Sequence, residues 1–204
     1  RSVFEAMDRG KYHIIPVLIT RQGSWYQRPG DLSAFDPDPS LSEADRLLFS
    51  PDPEHKGFLR VNPKRKTEPL AVDLVFPVLH GTYGEDGTLQ GLFELANVPY
   101  VGCGVLASAV GMDKVLMKAA FHDAGLEVGP FFWFLRSQWQ ENRKPFLERV
   151  KSSHFPVFVK PANLGSSVGI SKVTDPDQFE AAVDLAASYD RKILVEDGIV
   201  GREL

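Results

Sequence analysis

An α/β fold is what this 204-residue sequence predicts, on three observations. Apolar, β-branched runs of strand length (His13 to Thr20, Asp73 to Leu79, Val157 to Lys160, Lys192 to Glu196) alternate with stretches of helical period. Glycine-rich loops follow two of those runs directly, at His80 to Gly87 and at Gly165 to Gly169. The character of the chain also changes near residue 103, which divides an N-terminal region from a second one. Strands alternating with helices argue for an open, mostly parallel sheet, whose ligands sit beyond the carboxyl ends of the strands. The loop that opens at His80 lies at such an end.

Along the first region, Ser2 to Asp8 reads as a helix and His13 to Thr20 as a strand. Arg21-Gln-Gly-Ser24 is a turn signal, so Ser24 to Gln27 is a short hairpin partner. Residues 29 to 63 carry six prolines with little periodicity and read as a long surface connection. Asp73 to Leu79 is a buried strand that Pro77 ends or places at an edge. Thr88 caps a helix to about Asn97, with Leu89, Leu92, Phe93 and Ala96 on one face.

In the second region a long helix from about Leu106 to Asp123 ends at Gly125. Val128 to Leu135 is an aromatic strand, followed by a helix from about Gln138 to Lys151. Asp175 opens a helix with Phe179, Val183 and Ala186 on one side, and Lys192 to Glu196 is the last strand.

The most informative run is Phe155-Pro-Val-Phe-Val-Lys-Pro-Ala-Asn-Leu-Gly-Ser-Ser-Val-Gly-Ile-Ser-Lys-Val173. It is a strand ending in Lys160, a Gly/Ser turn, and a second strand. Pro161 keeps Lys160 out of the helical region, and two glycines supply φ > 0 around Ser166 and Ser167. Such a turn directs successive N–H groups at one anion, and a nucleotide phosphate is the anion of choice. The bland alternative is an ordinary hairpin with a solvated lysine.

Composition sets outer limits. A hydrophobic content of 43%, a charged content of 25% and a net charge of −4 describe an ordinary globular chain with no general attraction to nucleic acid or anionic membrane. Cys103 is the only cysteine, which excludes an intrachain disulfide and a cysteine-based metal site and fits a cytoplasmic setting. No apolar run spans a bilayer, and no secretory leader is present. Arg1 stands where an initiator methionine would, and the last strand has nothing after it to pair with. The sequence reads as a piece of a longer protein, cut at both ends.

Competing motifs fall on context. Gly165-Ser-Ser-Val-Gly169 matches the nucleophile elbow G-x-S-x-G, but an elbow needs a helix after its serine and Ile170-Ser-Lys-Val173 is β-like. Gly102-Cys-Gly-Val-Leu-Ala107 matches a dinucleotide fingerprint, yet the strand before it, Val98-Pro-Tyr-Val101, is short and broken by proline. No Walker A lysine loop exists. The histidines do not cluster: His13, His55, His122 and His154 read as surface or partly buried side chains. His80 differs, because it opens a glycine loop that also holds Glu85 and Asp86, where an imidazole could orient a small carboxylate or amine.

These residues together resemble the signatures of the D-alanine–D-alanine ligase family. His80-Gly-Thr-Tyr-Gly-Glu-Asp-Gly-Thr-Leu-Gln-Gly91, Pro99-Tyr-Val-Gly-Cys-Gly-Val-Leu-Ala-Ser-Ala109, Met112-Asp-Lys114, Val159 to Gly169 and Val195 to Glu203 occur in that family's order at compatible spacing. The likeness is close over about residues 72 to 204 and loose before them. It implies a Rossmann-like (pre-ATP-grasp) N-terminal domain over 1–103. The central α+β subdomain of an ATP-grasp fold would follow over 104–195, and 196–204 would begin a C-terminal subdomain that is otherwise missing.

The resemblance also implies roles. Lys114 and Lys160 would contact ATP phosphates, and N–H groups near Ser166 and Ser167 would cover the transferring phosphoryl. Glu196 would accept from the adenine amino group, Ile199 would line the base, and Glu203 would bind the ribose. His80 and Glu85 would lie beside the first D-alanine, and Ser166 would join the catalytic hydrogen-bond network. The implied reaction is ATP-dependent joining of two D-alanines through a D-alanyl phosphate, for peptidoglycan precursors and the cell wall. Alternatives are a D-alanine–D-lactate or D-alanine–D-serine ligase of the same fold, or a non-catalytic nucleotide-binding relative. Mg²⁺ (or Mn²⁺) is implied with ligands after Leu204 and none in this fragment, so the fragment is expected to be catalytically silent alone. A cytoplasmic homodimer with no nucleic-acid or membrane partner completes the expectation.

Overall fold

The computed structural model describes residues 2–28, 46–61 and 67–202. The chain divides into two compact units, residues 1–77 with 91–102 and residues 78–90 with 103–204.

The first unit opens with helix α1 (Ser2–Ala6) and the hairpin strands β1 (Val17–Ile19) and β2 (Trp25–Gln27), paired antiparallel as the turn signal requires. β3 (Arg46–Phe49), β4 (Gly57–Arg60) and β5 (Glu68–Ala71) extend it into a five-stranded antiparallel sheet in the order β1-β2-β3-β4-β5. Two of these strands fall inside 29–63, which the sequence reading leaves as a surface connection. Residues 29–45 and 62–63 of that stretch lie outside the described residues. The strands escape notice because each is only four residues long, and prolines such as Pro51 and Pro53 occupy the link between them. Leu47, Phe58 and Leu70 from three successive strands form the core, with Trp25 and Phe49 packed against it. Pro69 is tolerated because β5 is an edge strand.

The expected buried strand over Asp73 to Leu79 is reduced to one parallel bridge, Val75 to Tyr100. Leu74, Phe76 and Val78 are exposed. This bridge is the only parallel pairing among the described residues; the ladders are antiparallel, unlike the mostly parallel sheet that alternation predicts. Pro77 and Pro99 lack the N–H groups that would lengthen the bridge. Helix α2 (Thr88–Leu95) follows the His80 loop as predicted.

The second unit contains helices α3 (Val105–Met112) and α4 (Lys114–Asp123) where one long helix was expected. Asp113 is the reason. Its backbone is extended and its carboxylate accepts from the Val115 and Leu116 N–H groups, at 3.0 and 3.2 Å, so it caps a new helix. Strand β6 (Phe131–Leu135) is the aromatic strand. The next predicted helix also divides, into α5 (Arg136–Glu141) and α6 (Lys144–Val150), because Pro145 cannot continue a helix through Glu141.

Strand β7 (Val157–Pro161), β8 (Ser171–Val173), helix α7 (Phe179–Tyr189) and β9 (Lys192–Asp197) complete the unit. The sheet order is β6-β9-β7-β8, all antiparallel. Its strands alternate faces with period two. Phe132, Phe134, Val157, Val159, Ile193 and Val195 point into the main core against Phe179, Val183 and Ala186 of α7. The opposite face carries Leu194, packed with Val115 of α4, Ala162 and Phe131. That second face holds the candidate site.

Candidate functional site

The registers place the site residues. Phe131 on β6 and Phe158 on β7 both lie opposite Glu196 on β9, so one carboxylate sits in a row between two aromatic rings. Lys160, two residues along β7, shares that face. An open cleft of about 260 Å³ is lined by Lys118, Gly129, Phe158, Lys160, Glu196, Asp197 and Ile199. Gly129 lies close under Ile199, so a β-carbon there would meet the Ile199 Cδ1 atom at 2.7 Å and the exposed isoleucine side chain would have to shift.

Glu196 is the electrostatic centre. The Lys160 ammonium donates to its Oε1, and the Lys118 ammonium lies 3.1 Å from its Oε2. All three side chains are four-fifths buried or more. Burial alone would push the Glu196 carboxyl up; the hydrogen bond and charge of Lys160, joined by Lys118, outweigh it and hold the group below the usual glutamate range. Two ammonium groups thus share one carboxylate, and the Asp197 carboxylate also lines the cleft.

Lys114 opens α4 and reaches across to the base of the glycine turn, donating to the Leu164 carbonyl and more weakly to that of Ala162 at 3.5 Å. Its pKa is lowered, first by burial and then by the charge of Lys160, against the opposing pull of Asp190, Glu196 and Asp113. The turn has a second anchor. Asn163 donates through its backbone N–H and its side-chain amide to one oxygen of Asp190, at 2.8 and 3.0 Å.

Within the turn, Ser166 and Ser167 both take positive φ, 53° and 59°. Gly169 follows at φ 70°, where a β-carbon would lie 2.7 Å from Tyr189 and 2.8 Å from Pro161. β8 then pairs back onto β7, with Val157 opposite Val173. The expected strand–turn–strand is therefore present, and no helix follows Ser167, which removes the elbow reading.

The His80 loop is held by its own acids. Glu85 accepts from the Gly81 N–H at 2.6 Å and lies 3.7 Å from the His80 ring, and both side chains are exposed. Asp86 accepts from Tyr83 and Thr88 N–H groups at 2.8 and 3.0 Å. Burial opposes its ionisation, but those hydrogen bonds win and keep its carboxyl below the usual value.

Sequence reasoning thus selects Lys160, Glu196 and Ile199, which the fold brings to one cleft, and His80 with Glu85, which meet in one loop. Lys114, Ser166 and Ser167 belong to the turn and its anchor, and Glu203 lies outside the described residues. Lys118 was missed. Its signal was available, since it lies one helical turn beyond Lys114 on the same face of α4. Of the remaining histidines, His55 bonds Ser50 at 2.7 Å and His154 lies 3.3 Å from Asp197. Among the described residues no group of three His, Cys, Asp or Glu side chains could hold a metal ion. No helix of the described residues is long and apolar enough to cross a membrane.

Comparison with known proteins places these features in a family. Residues 1–103 match the family model for the D-ala D-ala ligase N-terminus, and residues 120–204 match that for the C-terminus. A D-alanine–D-alanine ligase from Heliobacterium modesticaldum is 46% identical over 205 residues, covering all of this chain and 56% of the relative. One from Bacillus cytotoxicus is 44% identical over 207 residues, covering all of this chain and 56% of the relative. Among solved structures, the VanG D-Ala:D-Ser ligase from Enterococcus faecalis superposes with a TM-score of 0.84 at 38% identity, covering 98% of this chain and 57% of that one. The D-alanine–D-alanine ligase from Coxiella burnetii gives 0.76 at 31%, covering 98% and 58%. The chain spans about half the length of the curated relatives it matches. The predicted α/β class, with its ATP-grasp sheet and glycine turn, is the observed one. By its sequence and its fold, the chain belongs to the D-alanine–D-alanine ligase family.

Proposed function

We propose that the protein carrying this chain joins two D-alanines with ATP, by way of a D-alanyl phosphate, to supply D-alanyl-D-alanine for peptidoglycan precursors. The observation that carries the reading is the cleft in which Lys160 and Lys118 share the Glu196 carboxylate beneath Ile199, beside a glycine turn anchored by Lys114.

A carboxylate is a poor electrophile, so a phosphoryl group is first placed on the carboxylate of one D-alanine; the amine of the second attacks the carbonyl and releases phosphate. Such chemistry asks the protein for alignment and charge neutralisation rather than for a nucleophile. Lys160 and Lys114 neutralise the phosphates. Backbone N–H groups around Ser166 and Ser167 cover the transferring group, and closure of that turn excludes water from the acyl phosphate. Ser166 joins the hydrogen-bond network that positions substrate. Glu196 and Ile199 receive the adenine, Glu203 the ribose, and His80 with Glu85 the first D-alanine.

The domain division of the reading is 1–103, 104–195 and 196–204. A divalent metal, Mg²⁺ or Mn²⁺, belongs to the reading. The described residues do not form a site for it, so no step here is assigned to it. A cytoplasmic homodimer is likewise part of the proposal and rests on the family resemblance.

The test is phosphate release by the intact protein carrying this sequence, with ATP and D-alanine, D-lactate or D-serine as second substrate. Release with D-alanine alone that falls to background in Lys160→Ala is the expected result. Preference for D-lactate or D-serine would move the protein to the related ligases. Turnover and ATP affinity unchanged in Lys160→Ala would remove the assignment of the cleft.

A further inference from the structure

Lys118 helps define the cleft but is assigned no contact with substrate or nucleotide in the reading above, and it is among the more deeply held charges there. It projects from α4 with 15% of its side chain exposed, 3.1 Å from Glu196 Oε2 and 5.4 Å from the centre of the Phe131 ring. Lys160 occupies the other oxygen of the same carboxylate. The two lysines differ in their supports. Lys160 stands on β7, the strand that runs directly into the glycine turn, whereas Lys118 stands on the helix that covers the sheet face beside Leu194. If Lys160 turns to phosphate, as the nucleotide reading of the cleft has it, Lys118 is the cation left on Glu196.

We propose that Lys118 is a positioning residue for purine recognition: it fixes Glu196 through Oε2, so that Oε1 faces the cleft as an acceptor once Lys160 turns to phosphate. An ionised carboxylate is acceptor-only, so it accepts from the 6-amino group of adenine and repels the 6-keto oxygen of hypoxanthine. A carboxylate free to rotate would discriminate less well. Lys118 thereby contributes to the choice of nucleotide without touching it. The inference rests on the nucleotide reading of the cleft.

The experiment measures affinity for ATP and for ITP in the intact protein carrying this sequence, with KM for D-alanine alongside. Lys118→Met, which keeps the apolar stem, is expected to weaken ATP about tenfold and to shrink the ATP:ITP preference by a similar factor. KM for D-alanine stays as in the parent, and Lys118→Arg restores most of the preference. If Lys118→Met does not fold, Lys118→Gln replaces it. A parental ATP:ITP preference in the neutral variant overturns the proposal, whatever happens to stability, because a mere tether between helix and sheet would not set that ratio. Glu196→Gln separates the two levels. If it too binds ATP and ITP like the parent, the nucleotide reading of the cleft fails; if it loses the preference while Lys118→Met keeps it, only the role of Lys118 fails.

Discussion

The two faces of the sheet β6-β9-β7-β8 are built from alternate residues of the same strands and do opposite work. One face presents Phe132, Phe134, Val157, Val159, Ile193 and Val195 to α7 as the main apolar core. The other presents Phe131, Phe158, Lys160 and Glu196, with largely buried charge held between aromatic rings. The strands thereby separate an apolar core from a charged cleft over the thickness of one backbone layer. A gap in the burial-driven face leaves a costly cavity, while on the charged face each buried ion offsets its desolvation through its partner. Asp113 shows the same economy on the helix side. Its carboxylate caps α4 and takes the Lys192 ammonium, and although burial opposes ionisation, that partner and the capped N–H groups keep it charged.

Substitutions on each face test the separation. The largest effect is expected on the apolar face. Phe134 is 1% exposed and its ring centre lies 4.2 Å from that of Phe146, so Phe134→Ala should cost about 3–5 kcal/mol in urea unfolding. A loss under about 1 kcal/mol would mean that this face is not the core. On the charged face, Lys160→Ala should lower kcat/KM by at least about 10²-fold with little change in the unfolding midpoint. A large loss of stability there would break the division of labour.

The glycine turn lies between these cases. Gly169→Ala forces a β-carbon against Tyr189 and Pro161 at positive φ, and should destabilise the hairpin by about 1–3 kcal/mol. Amide exchange at Ser171 and Val173 would register that loss, and unchanged protection would refute it. The smallest effect concerns pH. Because the Glu196 carboxyl is held below its ordinary value, the stability it contributes is complete above about pH 4.3 and is lost as pH falls through the lower, folded value. The gap in urea midpoint between the parent and Glu196→Gln should therefore close on acidification. A gap that widens in acid would reverse the assigned sign.

Legibility in the sequence followed the range of the interactions. The hairpin of β7 and β8 could be read because its signals are local: β-branched residues, Pro161 beside Lys160, and glycines at the turn. Helix α7 could be read from the spacing of Phe179, Val183 and Ala186. The division of α3 from α4 was also local, but Asp113 looks like any helical aspartate until its carboxylate is seen to cap. β3 and β4 were missed because each is only four residues long and the link through which they pair with each other carries Pro51 and Pro53, which mask the hairpin. Asp73 to Leu79 erred in the opposite direction, since an apolar composition does not itself supply a neighbouring strand.

By itself the sequence determined the family, the order of strand, turn and helix in the second region, and three of the residues that meet in the cleft, Lys160, Glu196 and Ile199. Those properties are encoded in short runs, where backbone sterics and side-chain period act over a few residues. Only the tertiary structure decided that Glu196 is shared by Lys160 and Lys118, that Lys114 ties down the glycine turn, and that the sheets are antiparallel. These depend on register between strands and on the placement of a helix over a sheet, which are set by the burial of residues distant in the chain.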